Sequence, residues 1–342
     1  MIDLTTLEEI IHQNLEFNIK RAFGENSLPD FTKLMGFISE FYKNHPPEKI
    51  IKGFSCIIGI EELTELKGTM VHRMEVMEQL KEDACFILLD ASNIFICESG
   101  QILLNAPGVI SYQFNNGTET IWANGEKIPI RNPDSASLSI FAQPTYKDLD
   151  EALHKYYEKN AKYSICSKLN SAWLDSEKIR FKSKPEHLLR DSLWLFLRIV
   201  LRGNPDVKRE QNVDESNPVD IKVTWKSTKA IALIEIKWLG KSFDLRTKRM
   251  TRNFTQVRAI QGAEQLIRYI NTSVQEEPHN HYIGFLVLFD ARRRGIRDID
   301  NKISLNDALY YREKEIEYPE HIKTHNALRL SYRFFLEPNI AG

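Results

Sequence analysis

The segment NPVDIKVTWKSTKAIALIEIKWLGK, residues 217–241, restricts the fold more than any other part of this chain. Apolar residues occupy every second position in both of its arms, as β-strands with one face in a core require. A turn at Ser227-Thr228 predicts a hairpin in which Ile221 faces Ile234 and Val223 faces Ala232. Every residue on that side of the hairpin is then apolar.

The same register predicts an acidic pair on the other side of the hairpin. It puts Asp220 opposite Glu235, with Lys237 on the same face, and directly opposed residues have Cβ atoms about 4.5–5.5 Å apart. Two carboxylates this close repel each other unless a positive charge lies between them. Mg²⁺ prefers oxygen ligands and typically takes one or two protein carboxylates, and a neighbouring lysine can orient water. This combination is suited to phosphodiester hydrolysis.

An alternative interpretation of the same residues needs no metal. Lys222 and Lys237 could pair with the two acids in a cross-strand cluster of salt bridges on a solvated face. The motif residues alone do not distinguish the two interpretations, so we use the order of the surrounding helices and strands to choose between them.

The second half of the chain predicts a compact α/β unit. A helix begins near Ser183 and ends at Gly203, with Ser183 and Glu186 in the positions of a capping box. A strand VKREQNV, the hairpin, a helix from Asn253, the strand HYIGFLVLFDA and the late strand ALRLSYRFFL follow. The order αβββαβ predicts a mixed sheet flanked by helices.

Pro218-Val-Asp220 followed by Glu235-Ile-Lys237 resembles the signature of the PD-(D/E)XK nuclease superfamily, over roughly residues 180–340. One valine separates Pro218 from the aspartate, a departure from the bare motif. The resemblance implies a restriction-endonuclease-like core in which Asp220, Glu235 and the carbonyl of Ile236 bind Mg²⁺, for which Mn²⁺ is expected to substitute. It also implies that Lys237 is the catalytic lysine.

Two further features fit this resemblance. Superfamily members often carry an acid on the first core helix, and Glu186 is the candidate, although its place in the capping box is a structural alternative. Gln265 and Tyr269 form a Q-x-x-x-Y pattern similar to that of the RecB-like branch, where the pair positions the substrate or the lysine. The alternative for this pair is an ordinary amphipathic helix.

Basic residues cluster in two places, although the net charge is only −1. Such clusters are typical of polyanion-binding faces as well as of solvated surfaces. We expect contacts to a nucleic-acid backbone from both. The first comprises Lys241, Arg246, Lys248, Arg249, Arg252 and Arg258; the second comprises Arg292, Arg293, Arg294 and Arg297.

The first half of the chain predicts a smaller α+β domain over residues 1–145. Residues 5–45 have helical periodicity, 83–142 are rich in strands, and Asn116-Gly117 and Asn124-Gly125 are hairpin turns. A helical connector, 146–182, and a nuclease domain, 183–342, follow. The first domain is expected to recognise a target, sense a ligand or dock a partner.

Composition excludes several other classes of protein. No apolar run is long enough to span a bilayer, the amino terminus lacks signal-peptide features, and four widely spaced cysteines suggest reduced thiols in a cytoplasmic protein. The sequence therefore favours a Mg²⁺-dependent nuclease of a prokaryotic defence or restriction type. The family resemblance favours DNA over RNA as its substrate. A regulatory protein partner or a homo-oligomer is compatible with this layout. The alternatives are a repair or junction-processing nuclease and a non-catalytic nucleic-acid-binding or assembly module.

Overall fold

The structure, a computed structural model, describes residues 4–60, 65–81, 83–98, 100–130, 132, 137–212 and 218–340, with the backbone alone at 4–10, 211 and 212. The chain divides into two compact units. The first is Met1–Lys147 with Ser227–Lys229, and the second is Asp148–Lys226 with Ala230–Gly342.

The first unit combines helices with a seven-stranded mixed sheet. Its strand order is β2-β4-β3-β1-β5-β6-β7, in which β1 and β3 are parallel. The elements are α1 (Leu4–Phe23), α2 (Leu28–Asn44), β1 (Phe54–Ile58), β2 (Gly68–His72), α3 (Arg73–Glu78), β3 (Ala84–Leu88), β4 (Asn93–Glu98), β5 (Ile110–Asn115), β6 (Thr118–Ala123) and β7 (Glu126–Pro129), with 3₁₀ turns at Glu25–Ser27 and Pro47–Lys49.

The predicted turns of this unit are confirmed. Asn116-Gly117 joins β5 to β6 and Asn124-Gly125 joins β6 to β7, both antiparallel pairs. All four residues have positive φ, between 48° and 85°, the conformation that a two-residue hairpin turn requires and that Asn and Gly adopt most readily. The apolar face of α2 packs into an aromatic core with β1, β3 and β5.

The second unit is built on another seven-stranded mixed sheet. The elements are α4 (Tyr146–Tyr156), α5 (Ser167–Ser171), β8 (Phe181–Lys182), α6 (Glu186–Val200), β9 (Asp206–Asn212), β10 (Pro218–Thr224), β11 (Ala230–Phe243), β12 (Met250–Phe254), α7 (Gln256–Glu276), β13 (His281–Ala291), α8 (Leu305–Leu309), α9 (Glu320–Lys323) and β14 (Leu328–Phe335), with a π-helical turn at Tyr157–Ala161.

The strand order β14-β13-β11-β10-β9 contains the expected αβββαβ core. Strands β11, β13 and β14 are parallel, whereas β10 and β9 are antiparallel to their neighbours. The crossover helix α7 packs on β11 and β13. The far end of β11 also pairs with β12 and β8, so β11 is the central strand and is buried on both faces along most of its length.

Residues 148–182, expected to form a connector, are packed inside the second unit. Leu149, Leu153 and Tyr156 of α4 are buried. The Tyr156 ring contacts Phe289 and the ring of Phe334 on the sheet, and these contacts bury too much apolar surface for a free linker. The Pro/Ser-rich segment before this point lies partly outside the described residues, at 131 and 133–136.

Two helix boundaries differ from the prediction. Helix α6 begins at Glu186 with Pro185 as its N-cap and without a side-chain capping bond, and it ends at Val200. Ser183 and Glu186 therefore form no capping box. Helix α7 begins at Gln256 because Met250–Phe254 pairs with β11 as a strand.

Among the described residues, no helix is both long and apolar enough to cross a membrane. The thiols of Cys56, Cys85 and Cys97 are free and buried, and that of Cys166 is free and half-buried.

Candidate active site

The predicted hairpin register is confirmed in β10 and β11. Ile221 pairs with Ile234 and Val223 pairs with Ala232, and all four side chains are fully buried. Continuing this register by one residue places Asp220 opposite Glu235.

A hydrogen bond fixes the first acid against the second strand. The Ile236 N–H donates to Asp220 Oδ2 at 2.9 Å. The contact holds Asp220 beside the backbone between Glu235 and Lys237, where the resemblance implies that the Ile236 carbonyl is a further ligand.

Burial dominates the electrostatics of the acidic pair. The Glu235 side chain is 2% exposed, and burial raises its pKa to about 8, with a further increase from the charge of Asp220 and a partial offset from Lys237. Burial also raises the pKa of Asp220, although the Ile236 N–H and the Lys237 charge oppose this. Both groups therefore hold their protons more tightly than ordinary carboxyls do.

Lys237 is buried against the second acid. Its Nζ donates to Glu235 Oε1, and its side chain is 5% exposed. The other oxygen, Glu235 Oε2, is buried without a hydrogen-bond partner among the described residues. An unsatisfied carboxylate oxygen beside a second carboxylate fits a hard divalent cation.

The residues present fit a site with few protein ligands. Within the described ranges, no group of three or more His, Cys, Asp or Glu side chains is arranged to hold a metal ion. Asp220 and Glu235 would thus provide the carboxylates, and two is a number that Mg²⁺ typically takes from a protein.

The crossover helix approaches Lys237 most closely at Gly262. A Cβ at this position would lie 2.8 Å from Lys237 Cγ and 2.9 Å from Leu286 Cδ1. The absence of a side chain thus lets α7 cover the lysine, a role that the sequence pattern does not indicate.

We expect Gly262→Ala to displace Lys237 and to lower any activity of this site by about tenfold, since small displacements of a reacting group are costly. The matched control is Gly36→Ala in α2, where a Cβ meets nothing within 4 Å and helix propensity improves. Activity assays and thermal unfolding of both variants test this. Equal activities in the two variants would contradict it.

Gln265 and Tyr269 lie together on α7, next to the hairpin. Gln265 Nε2 donates to Tyr269 Oη at 2.5 Å, and Tyr269 Oη donates to the Pro218 carbonyl at 3.4 Å. Tyr269 is buried and Gln265 is half-buried. The pair therefore supports the start of β10, two residues before Asp220.

A cleft of about 960 Å³ opens beside the acidic pair. Glu186, on the first turn of α6, lines it together with Asp220, and its charge raises the pKa of both Asp220 and Glu235. The remaining lining residues are Ser183, Lys184, His187, Arg190, Glu210, Trp238, Thr251, Arg252, Phe254 and Arg258. The lining thus combines four cationic side chains with the carboxylates of Glu186, Glu210 and Asp220.

The aromatic residues of the cleft are packed. Trp238 is almost completely buried and meets the Phe254 ring edge to face at 4.7 Å. Arg258 covers that ring at 5.0 Å and approaches Glu186 at 4.0 Å.

All of the first basic cluster except Arg258, which lies on α7, belongs to a hairpin that the sequence did not predict. Strand β12 pairs with the end of β11, and Arg246, Lys248 and Arg249 are exposed in the turn between them. Arg252 is exposed on β12 and reaches the cleft. Lys241 differs from the rest, because its Nζ is bonded to the Ile296 carbonyl.

The second basic cluster is largely structural, contrary to the expectation of backbone contacts. Arg292 and Arg293 are buried. The Arg292 guanidinium forms two hydrogen bonds with Asp290, of 2.9 and 2.7 Å, and Arg293 donates to the Leu336 carbonyl. Arg294 is exposed but paired with Asp307 at 2.5 Å. Arg297 is exposed as well, and the described residues give its side chain no ion pair.

Sequence reasoning missed two residues of the cleft, Arg190 and Glu210. The pairs Val219–Gln211 and Ile221–Arg209 in β10 and β9 put Glu210 opposite Asp220. Glu210 Oε1 forms an ion pair with Arg190 Nη1 at 2.6 Å. The signal that could have found Arg190 is its spacing of four residues from Glu186, which places both on one face of α6.

Comparisons with family models, with curated proteins and with solved structures each gave no match for this chain. The functional proposal therefore rests on the site.

Proposed function

We propose that this chain is a metal-dependent nuclease with a PD-(D/E)XK-type site and a restriction-endonuclease-like second unit. One observation carries the proposal: the register next to Ile221–Ile234 sets Asp220 opposite Glu235 on adjacent strands, with a buried Lys237 on Glu235 and a cleft beside them whose lining includes four cationic side chains. A solvated cluster of surface salt bridges, the alternative for these residues, does not account for their burial.

Each residue has a distinct task in the proposed reaction. Asp220 and Glu235 would hold the cation, with the Ile236 carbonyl as a further ligand. Mg²⁺, when bound, supplies a Lewis acid that activates water and offsets negative charge on the phosphate. Lys237 donates N–H groups that orient the attacking water and stabilise charge as the phosphodiester bond breaks. Glu186 adds negative charge at the mouth of the site.

The proposed substrate is DNA, held by its backbone. Arg246, Lys248, Arg249 and Arg252 are exposed on the β11–β12 hairpin, and Arg258 lines the cleft. Contacts of this type neutralise phosphates without reading the sequence. In a defence or restriction nuclease, the first unit would recognise a target, a ligand or a restraining partner.

The decisive test is cleavage of labelled single- and double-stranded DNA and RNA with Mg²⁺, with Mn²⁺ and with EDTA. Asp220→Asn is the informative variant because the amide oxygen can still accept the Ile236 N–H. Asp206→Asn is its control, since Asp206 pairs with Lys208 at 3.0 Å on the same sheet and does not line the cleft.

Cleavage that needs the metal and is lost only in Asp220→Asn supports the proposal. A preference for branched or damaged DNA would favour a repair nuclease. If the protein binds DNA but never cleaves it, a binding module replaces the enzyme.

Metal affinity should depend steeply on pH. The cation needs Glu235 ionised, and its pKa of about 8 means that protonation competes below that pH. We expect Mn²⁺ affinity to rise about tenfold per pH unit up to about pH 8 and then to level off. Isothermal titration calorimetry between pH 6 and 9 measures this, and an affinity independent of pH would contradict it.

The Glu235 carboxyl group also affects the stability of the metal-free protein. Because the folded state binds its proton more tightly than the unfolded state does, this group's contribution to the free energy of unfolding is largest at low pH. It declines as the pH rises from about 4.5 to about 8.

A further inference from the structure

Arg190 occupies an unusual position between two carboxylates of the cleft. It lies one helical turn after Glu186 on α6, and its side chain is only 14% exposed. Its Nη1 lies 2.6 Å from Glu210 Oε1 and 3.7 Å from Asp220 Oδ1. The guanidinium thus lies between the carboxylates of Glu210 and Asp220.

The hydrogen-bonding capacity of Arg190 is not used up. Its Nε is buried and has no hydrogen-bond partner among the described residues, and the nearest further acid, Asp191 Oδ1, lies 3.9 Å from it. Asp191 is itself bonded to Arg209 at 2.6 Å. An arginine has five N–H donors, and Arg190 lines the cleft, so donors beyond the one on Glu210 are suited to an oxyanion there.

Glu210 holds its position through an uncommon backbone conformation. Its φ is +48°, a left-handed value that non-glycine residues seldom adopt and that tends to occur at functional sites. It lies in β9 opposite Asp220 by the strand register. Glu210, Asp220 and Glu235 thus occupy one level on three adjacent strands.

We propose that Arg190 is a catalytic residue that binds a phosphate of the substrate. The ion pair with Glu210 holds its guanidinium in place before the substrate binds. In the metal-free protein, Arg190 is paired with Glu210 and lies 3.7 Å from Asp220. A cation held by Asp220 and Glu235 would balance the charge of Asp220 and leave Arg190 to donate to a phosphate oxygen of the substrate. This inference rests on the proposed nuclease function and adds the group that binds the phosphate.

The arrangement makes metal affinity respond oppositely to two substitutions. Arg190→Met removes a positive charge close to the cation, so Mn²⁺ should bind about tenfold more tightly. Cleavage at saturating metal should nevertheless fall about a hundredfold, because a donor to the reacting phosphate is lost. Glu210→Gln leaves the charge of Arg190 uncompensated, so Mn²⁺ should bind about tenfold more weakly.

The test measures Mn²⁺ binding by isothermal titration calorimetry, single-turnover DNA cleavage, and thermal unfolding in EDTA. Arg190→Lys keeps the charge and should bind Mn²⁺ as the native protein does, with cleavage between that of Arg190→Met and the native protein. Arg268→Met, on the exposed face of α7, is the matched control. In the double variant Arg190→Met/Glu210→Gln, the effect of Glu210 on affinity should shrink, because it acts mainly through Arg190.

Each outcome bears differently on this inference and on the nuclease proposal. Tighter Mn²⁺ binding with slower cleavage in Arg190→Met supports the inference. If Arg190→Met has the same Mn²⁺ affinity and cleavage rate as Arg268→Met, the inference is overturned and the nuclease proposal stands. The same holds if Arg190→Met loses Mn²⁺ affinity, cleavage and melting temperature together. An intact protein that neither binds Mn²⁺ nor cleaves DNA overturns both proposals.

Discussion

Replacing Lys237 by methionine should reduce DNA cleavage by about a thousandfold while metal binding persists. Methionine has similar length, so the packing under Gly262 is kept and the ammonium alone is lost. Positioned proton donors and charge-stabilising groups typically contribute rate factors of about 10² to 10⁴. Because Lys237 also lowers the pKa of Glu235, the pH above which Mn²⁺ binds fully should move upward.

Lys222→Met is the matched control for this experiment. Lys222 lies in the same hairpin, paired with Leu233, and is half-buried. Single-turnover cleavage and calorimetry of both variants separate catalysis from binding. Comparable losses in the two variants would point to a general charge effect of the hairpin, and native cleavage by Lys237→Met would remove the lysine from the mechanism.

Replacing Asp290 by alanine should lower the free energy of unfolding by about 3–5 kcal/mol, because it leaves buried cations without their counter-charge. Asp290 is fully buried. It accepts two hydrogen bonds from the Arg292 guanidinium, one from the Arg292 N–H and one from Arg333 Nε at 2.7 Å. Arg292 is therefore part of the core rather than of a surface for nucleic acid.

Asp300→Ala provides the comparison for Asp290→Ala. Its carboxylate is 80% exposed and lies 3.9 Å from Lys248, so its removal should change stability by less than about 0.5 kcal/mol. Urea unfolding of both variants gives the difference. Equal midpoints would show that the Asp290 cluster does not stabilise the fold.

Local periodicity was sufficient to predict the centre of the candidate site. The alternation through β10 fixes which of its residues face the core, and a register error of one would have buried Asp220 among apolar side chains. The Asn-Gly turns and the αβββαβ order were equally readable, because each depends on residues close together in the chain.

Features that depend on distant segments were not predictable in the same way. Strand β12 carries charged residues without clear alternation, so its sequence resembled the start of a helix. The burial of Arg292 and Arg293 depends on Asp290 and on the carbonyl of Leu336, and nothing in a run of arginines reveals such partners. Glu210 faces Asp220 only through the pairing of β9 with β10, whose register no tight turn specifies.

The crossover between β11 and β13 also implies an order in which the site forms. Asp220 and Glu235 belong to one hairpin and can meet as soon as its turn closes, on the timescale of microseconds. Lys237 is enclosed only after α7 docks and β13 pairs in parallel with β11, a slower step because it closes a longer loop. During folding, the acidic pair should therefore exist before its lysine is covered, so a chain emerging from the ribosome could meet a cation before it could use one.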